Sequence, residues 1–313
     1  MIGDGPVKSG MQGKAVIDVG SNSIKLYVAE NTPEGPLKTL ADRVEIGALG
    51  RGLRRTGTLS RDAMERNCGI ICRFAREARD MGCGEIAAVG TMALRQAENS
   101  QDFLTLVRES CGLDIRVLTG RQEARLAYLG ASRDFPFAGS RLVFDIGGGS
   151  TEFIGGRGDE ARSIVSLPLG ILGVTEEFLT SDPVLPREVR AAEEHIKTCL
   201  EEGAVPLEGE QLLGIGGTVT SMAAVQHRLA SYNPRVVHGS SLTGEEVKGQ
   251  VALFSSKTLA ERRQVPGLDP GRAPVILAGA LVVLGVMKAL SAPLVYVSDR
   301  GLRHGIMEKL KGN

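Results

Sequence analysis

The chain has 313 residues, a mass of 33.1 kDa and 42% hydrophobic residues, enough to build one large or two medium globular units and too apolar for a disordered tail. Its 37 basic residues balance 37 acidic ones, so no global field draws it to nucleic acid polymers or acidic membranes, and any anion site must be local. Five cysteines without a CxxC pair indicate neither a disulfide framework nor a zinc knuckle, and 4% aromatics with no tryptophan do not suit a base-stacking surface.

The polar, glycine-rich start MIGDGPVKSGMQGK has no apolar run, and with reduced, packed thiols it leads us to expect a cytoplasmic protein. Ala15 to Ala29 then reads as two β-branched runs around a Gly-Ser-Asn turn, a hairpin. Ser60 to Met81 carries apolar residues every three and four positions, with Ser60 placed to cap a helix and Gly82 to stop it. Glu85–Thr91 predicts a strand and Ala93 onward a helix, and Asp114–Leu118 another strand before a helix from Gln122. Arg141–Gly155 is a second hairpin, followed by a helix over Pro186–Glu202, a strand over Gln211–Ile215 and a helix over Thr218–Leu229. The uncharged run from Ala273 to Met287 is shorter than the roughly 18 apolar residues of a membrane span, and we expect a buried helix over Arg272–Leu290. A strand over Pro293–Ser298 and a helix over Leu302–Lys311 close the chain.

Strands alternating with helices predict an α/β protein with mostly parallel sheet. Asp145, Gly147 and Ser150 repeat Asp18, Gly20 and Ser23 at a constant spacing of 127 residues, which reads as a duplicated unit. We therefore expect two similar domains, 1–127 and 128–313, with the boundary near the Asp134–Gly139 turn. The ligand cleft lies between them, and the last helix, 302–313, is free to pack back on the first.

Three glycine turns follow apolar strands: Gly20-Ser21-Asn22-Ser23, Gly147-Gly148-Gly149-Ser150 and Gly216-Gly217-Thr218. Glycine lets backbone N–H groups approach an anion and hydroxyls add donors, so such turns cradle phosphate. Asp18 and Asp145 interrupt apolar strands, where a carboxylate needs a partner, and Glu152 lies across the second turn at the repeat position of Lys25. Acids beside phosphate turns describe a Mg²⁺ site, with Mn²⁺ as an alternative, held by Asp18, Asp145 and Glu152. The loop Gly47–Thr56 carries Arg51, Arg54 and Arg55; it fits a guide for a long polyanion and equally a solvated hinge.

Taken together, AVIDVGSNSIKL, VGTMALRQAEN, GRQEARLAYLG, FDIGGGSTEF, LLGIGGTVTS, YNPRVVHG, RQVPGLDPGRAPVILAGA and VSDRGLRHGI, in order from about residue 15 to 306, resemble the exopolyphosphatase and guanosine pentaphosphatase (Ppx/GppA) family. The resemblance implies two actin-like, ribonuclease H-like domains of the sugar kinase and actin superfamily with the active site between them. It implies Glu123 as the base that activates water and Arg95 at the polyphosphate channel. His238 is left structural or distal to the substrate. Longer members continue into a helical domain that this sequence does not show, so it resembles their short two-domain form.

The implied activity is hydrolysis of the terminal phosphate of inorganic polyphosphate, with guanosine pentaphosphate as the alternative substrate. A kinase of the same superfamily and a non-catalytic nucleotide-binding switch rank below them. A homodimer is compatible with all of these readings.

Overall fold

Gly13–Val19 (β1) and Ser23–Glu30 (β2) pair antiparallel because both are rich in β-branched residues and only Gly20 to Asn22 separate them. The register sets Val16 opposite Tyr27 and Asp18 opposite Lys25. The computed structural model describes residues 13–30, 37–133, 135, 139–203 and 211–311. The glycine-rich start, residues 134 and 136–138 of the expected boundary turn, and the last two residues of the expected C-terminal helix lie outside the described residues.

Lys38–Ile46 (β3) adds antiparallel to β2, and the chain continues through the short helix Leu53–Thr56 (α1) into Arg61–Asp80 (α2). Ser60 caps α2 by accepting from the Ala63 N–H, and Gly82 follows its end with φ +78°. Cys83–Gly90 (β4) lies parallel to β1; Met92–Gln96 (α3) and Ser100–Cys111 (α4) lead to Ile115–Val117 (β5) and to Gly120–Ser132 (α5). The resulting order is β3-β2-β1-β4-β5, with α2 and α4 packed together beside it over a core including Ile17, Ile71 and Phe103.

Ser140–Ile146 (β6) repeats β1 at the 127-residue spacing, and Thr151–Arg157 (β7) and Glu160–Leu167 (β8) repeat the antiparallel ribbon. Ile171–Phe178 (α6) and Pro186–Glu202 (α7) follow, then Gln211–Ile215 (β9), Gly216–Gln226 (α8), Pro234–Val237 (α9) and Ser241–Thr243 (β10). Gly244–Ser255 (α10), Leu259–Arg262 (α11) and Ile276–Ala289 (α12) precede Leu294–Val297 (β11) and Leu302–Lys311 (α13). The second sheet runs β8-β7-β6-β9-β11 with β10 on its edge, so the order of the first sheet recurs. Both sheets are mixed: the ribbons at one side are antiparallel and β1-β4-β5 and β6-β9-β11 are parallel, which corrects the expectation of mostly parallel sheet.

The C-terminal helix α13 packs on α5 and on β1 and β2 of the first sheet. The two helices approach backbone to backbone: a methyl at Gly305 would meet the Leu126 carbonyl, and one at Gly130 would stand 2.2 Å from the Gly301 carbonyl oxygen. Val16, Tyr128, Ile154, Leu213 and Ile306 form one apolar cluster that joins both sheets through this crossing. The expected division at 127/128 falls within α5.

Candidate active site

The two repeated turns close in the same way. Gly20 N donates to the Ser23 carbonyl at 3.0 Å and Gly147 N to the Ser150 carbonyl at 2.8 Å. Proximity favours glycine at both, since a Cβ would lie 2.9 Å from the Ser23 carbonyl at Gly20 and a tight 3.1 Å from the Ser150 carbonyl at Gly147. At the third turn the reason is conformational: Gly216 has φ +83°, and Asp145 Oδ1 fills the space a side chain would need. The turns meet across the cleft, with Gly148 against Ser21 and Gly149 against Met92.

Together they enclose a small cavity of ≈ 80 Å³ lined by Asp18, Gly20, Ser21, Asn22, Ser23, Glu123, Asp145, Gly147, Gly148, Gly149, Ser150, Glu152, Gly216 and Gly217. The structure thus brings nearly all the residues singled out in the sequence to one place. Of the candidate catalytic, phosphate and metal residues, two stand apart from its lining. Thr218 is buried against Gly279 of α12, and Arg95 stands behind Glu123. Two further cations face the cavity, Lys25 and Arg272. Lys25 carried a signal, being the repeat counterpart of Glu152. Arg272 showed only as a lone charge before the apolar stretch of α12.

Glu123 lies in the first turn of α5, whose start is fixed by a Thr119–Gln122 capping box. Arg95 Nη1 donates to Glu123 Oε2 at 2.6 Å and to the Leu118 carbonyl at 2.9 Å. Burial, reinforced by the nearby Glu152 charge, nevertheless pushes the Glu123 carboxyl up to about 8 against the pull of Arg95. Glu152 is raised to about 6 by burial, opposed by Ser150 and reinforced by Asp145. Its Oε1 accepts from the hydroxyls of Ser150 at 2.7 Å and Ser166 at 2.9 Å. Asp145 is raised by withdrawal from water, with Lys25 opposing and Asp18 adding.

Lys25 Nζ pairs with Asp18 Oδ2 at 3.2 Å, while Asp18 Oδ1 is buried without a hydrogen-bond partner. Four carboxyl groups around one small cavity repel one another, and an orphaned carboxylate oxygen among them fits a hard cation. Among the described residues no three acidic, histidine or cysteine side chains converge to hold an ion by themselves. Mg²⁺ keeps water and takes phosphate oxygens alongside one or two carboxylates.

A second cavity of ≈ 590 Å³ shares Lys25, Asp145, Gly216, Gly217, Arg272 and Leu302 with the first. Its far walls carry Val44, Ile46, Leu229 and Tyr232 beside Arg300 and Arg303. Arg272 has Gly217 beneath its guanidinium and no carboxylate within ion-pair distance among the described residues. Burial lowers its proton affinity, which a bound anion would reverse.

Residues 27–312 match the Ppx/GppA phosphatase family, and the chain belongs to it. It is 32% identical over 298 residues to exopolyphosphatase 1 of Mycobacterium tuberculosis, covering 93% of this chain and 86% of that one. It is 30% identical to the guanosine-5'-triphosphate,3'-diphosphate pyrophosphatase of Vibrio parahaemolyticus, over 95% of this chain and 59% of the relative. The crystal structure of the Aquifex aeolicus member of the family superposes with a TM-score of 0.81 at 34% identity, covering 96% of this chain and 99% of that one.

Proposed function

We propose that this protein is an exopolyphosphatase that hydrolyses the terminal phosphate of inorganic polyphosphate in the cytoplasm. The observation that carries this reading is the pair of identically closed glycine turns facing each other around one small cavity, with Glu123 held on its wall by Arg95. The division into two domains near residue 127 belongs to the same reading.

The terminal phosphoryl group would sit between the backbone N–H groups and hydroxyls of Ser21–Ser23 and Gly147–Ser150, and the rest of the chain would lead past Lys25 and Arg272 into the larger cavity. Glu123, held through Oε2, keeps Oε1 for a water molecule. It would orient that water in line with the terminal phosphorus and take its proton, and the phosphoryl group would pass to the water oxygen as the bridging oxygen leaves with the shortened chain. Asp18, Asp145 and Glu152, the last steadied by Ser150 and Ser166, would hold the metal. When bound, Mg²⁺ or Mn²⁺ would neutralise phosphoryl charge and the crowded carboxylates.

A second reading, guanosine pentaphosphate as substrate, is favoured by the larger cavity: Val44, Ile46, Leu229 and Tyr232 give part of it an apolar character that a bare phosphate chain does not use. Phosphate release from short polyphosphate, long polyphosphate and guanosine pentaphosphate, measured side by side with Mg²⁺ at equal terminal-phosphate concentration, decides between the two. Release from none of them overturns both.

A further inference from the structure

The arginine loop after β3 does not line either cavity, yet it is fastened to the first phosphate turn. Gly47 N and Ala48 N donate to the Asn22 carbonyl at 3.1 and 2.8 Å, and Gly50 N donates to the Ser21 carbonyl at 2.8 Å. Helix α6 is fastened in the same manner to the second turn: Ile171 N donates to the Gly147 carbonyl at 3.1 Å and Leu172 N to that of Gly148 at 2.8 Å. Arg54, on α1 at the end of the loop, reaches across to α6, where its Nη1 lies 3.1 Å from Glu177 Oε1. Gly173 provides the seat, since a Cβ there would stand 2.3 Å from Arg54 Nη1. Arg54–Glu177 is the ion pair that spans the cleft away from α13 among the described residues.

We propose that Arg54 and Glu177 are positioning residues: their ion pair is a latch that holds the two phosphate turns at their working separation. The inference builds on the phosphate-site reading of the cleft. Both side chains are nearly half exposed, 45% and 47%, so the pair adds little to global stability, but a small free energy moves an opening equilibrium that lies near balance. It assigns Arg54 a partner in the opposite half in place of the expected polyanion guide or solvated hinge.

The two roles predict opposite signs. If Arg54 guides polyanions, Glu177→Arg removes a competing acid and raises kcat/KM for long polyphosphate. If the pair is a latch, Arg54→Glu and Glu177→Arg each lower kcat/KM about two- to five-fold, the span that an exposed pair's coupling allows, and the Arg54→Glu/Glu177→Arg exchange recovers it. Solution scattering reads the same device without turnover: each single variant enlarges the radius of gyration of the phosphate-free protein and the exchange restores it. Identical scattering from all four proteins, or an increase in kcat/KM with Glu177→Arg, overturns the latch. Should the wild type release no phosphate while scattering follows the expected pattern, the hydrolase reading fails and the latch stands.

Discussion

Arg95 Nη1 stands 2.6 Å from Glu123 Oε2 while also donating to the Leu118 carbonyl, so α3 pins the carboxylate of α5 to the end of the strand that precedes it. Both contacts leave the single Nη1; Arg95→Lys keeps a charge but replaces the rigid planar guanidinium that holds that nitrogen between its two acceptors with an ammonium on a flexible stem. We expect it to lower kcat about ten-fold or more through misplaced water, with a smaller change in KM, as steady-state kinetics will show.

Glu123→Gln keeps the shape and removes the base. Turnover should fall about 10²- to 10⁴-fold while phosphate binding persists in calorimetry. A variant that turns over at near the wild-type rate would remove Glu123 from the mechanism.

The pH dependence has a definite sign. Glu123 must be ionised to accept a proton, and burial lifts it from 4.5 to about 8, so in limiting metal the acid limb of kcat/KM lies well above the ordinary carboxylate range. Added Mg²⁺ should move that limb to lower pH.

Stability follows from the same shift. The folded chain holds the Glu123 proton more tightly than the unfolded one, so this group's contribution falls as pH climbs from about 4.5 towards about 8. With EDTA present, Glu123→Gln should therefore melt higher than wild type at pH 8, by about 2–4 °C for each kcal/mol relieved, with the gap closing near pH 5. Thermal melts of the two proteins across this range test it, and a constant gap would contradict it.

Gly305→Ala probes the α5–α13 crossing. Its methyl would press on the Leu126 carbonyl, a backbone atom with no rotamer to yield, so a loss of about 1–3 kcal/mol in urea unfolding is expected, with reduced kcat because α5 carries Glu123.

Much of this site is legible in the chain because its glycine turns are local: short apolar strands, a sharp turn and an acid recur at a spacing of 127 residues, and each signal spans fewer than ten positions. The third strand of each ribbon was not legible. In β3, eight of nine residues are exposed or half-buried and only Ala41 is buried, so an edge strand such as Lys38–Ile46 leaves little alternation to read. Helix α10 went unread as well, although Val247, Gln250, Val251 and Phe254 fall at helical spacing and a Thr243–Glu246 capping box opens it.

By itself, then, the sequence determined the duplication, the three turns, the capped helix α2 and the identity of the acids, because each depends on neighbours a few residues away. Only the tertiary structure decided that Lys25 pairs with Asp18, that Arg95 holds Glu123, that Thr218 faces Gly279 and that Arg54 meets Glu177. Those relationships join residues brought together by sheet register and by the closing of one half on the other, and side-chain burial and charge acquire their values only once that packing is complete.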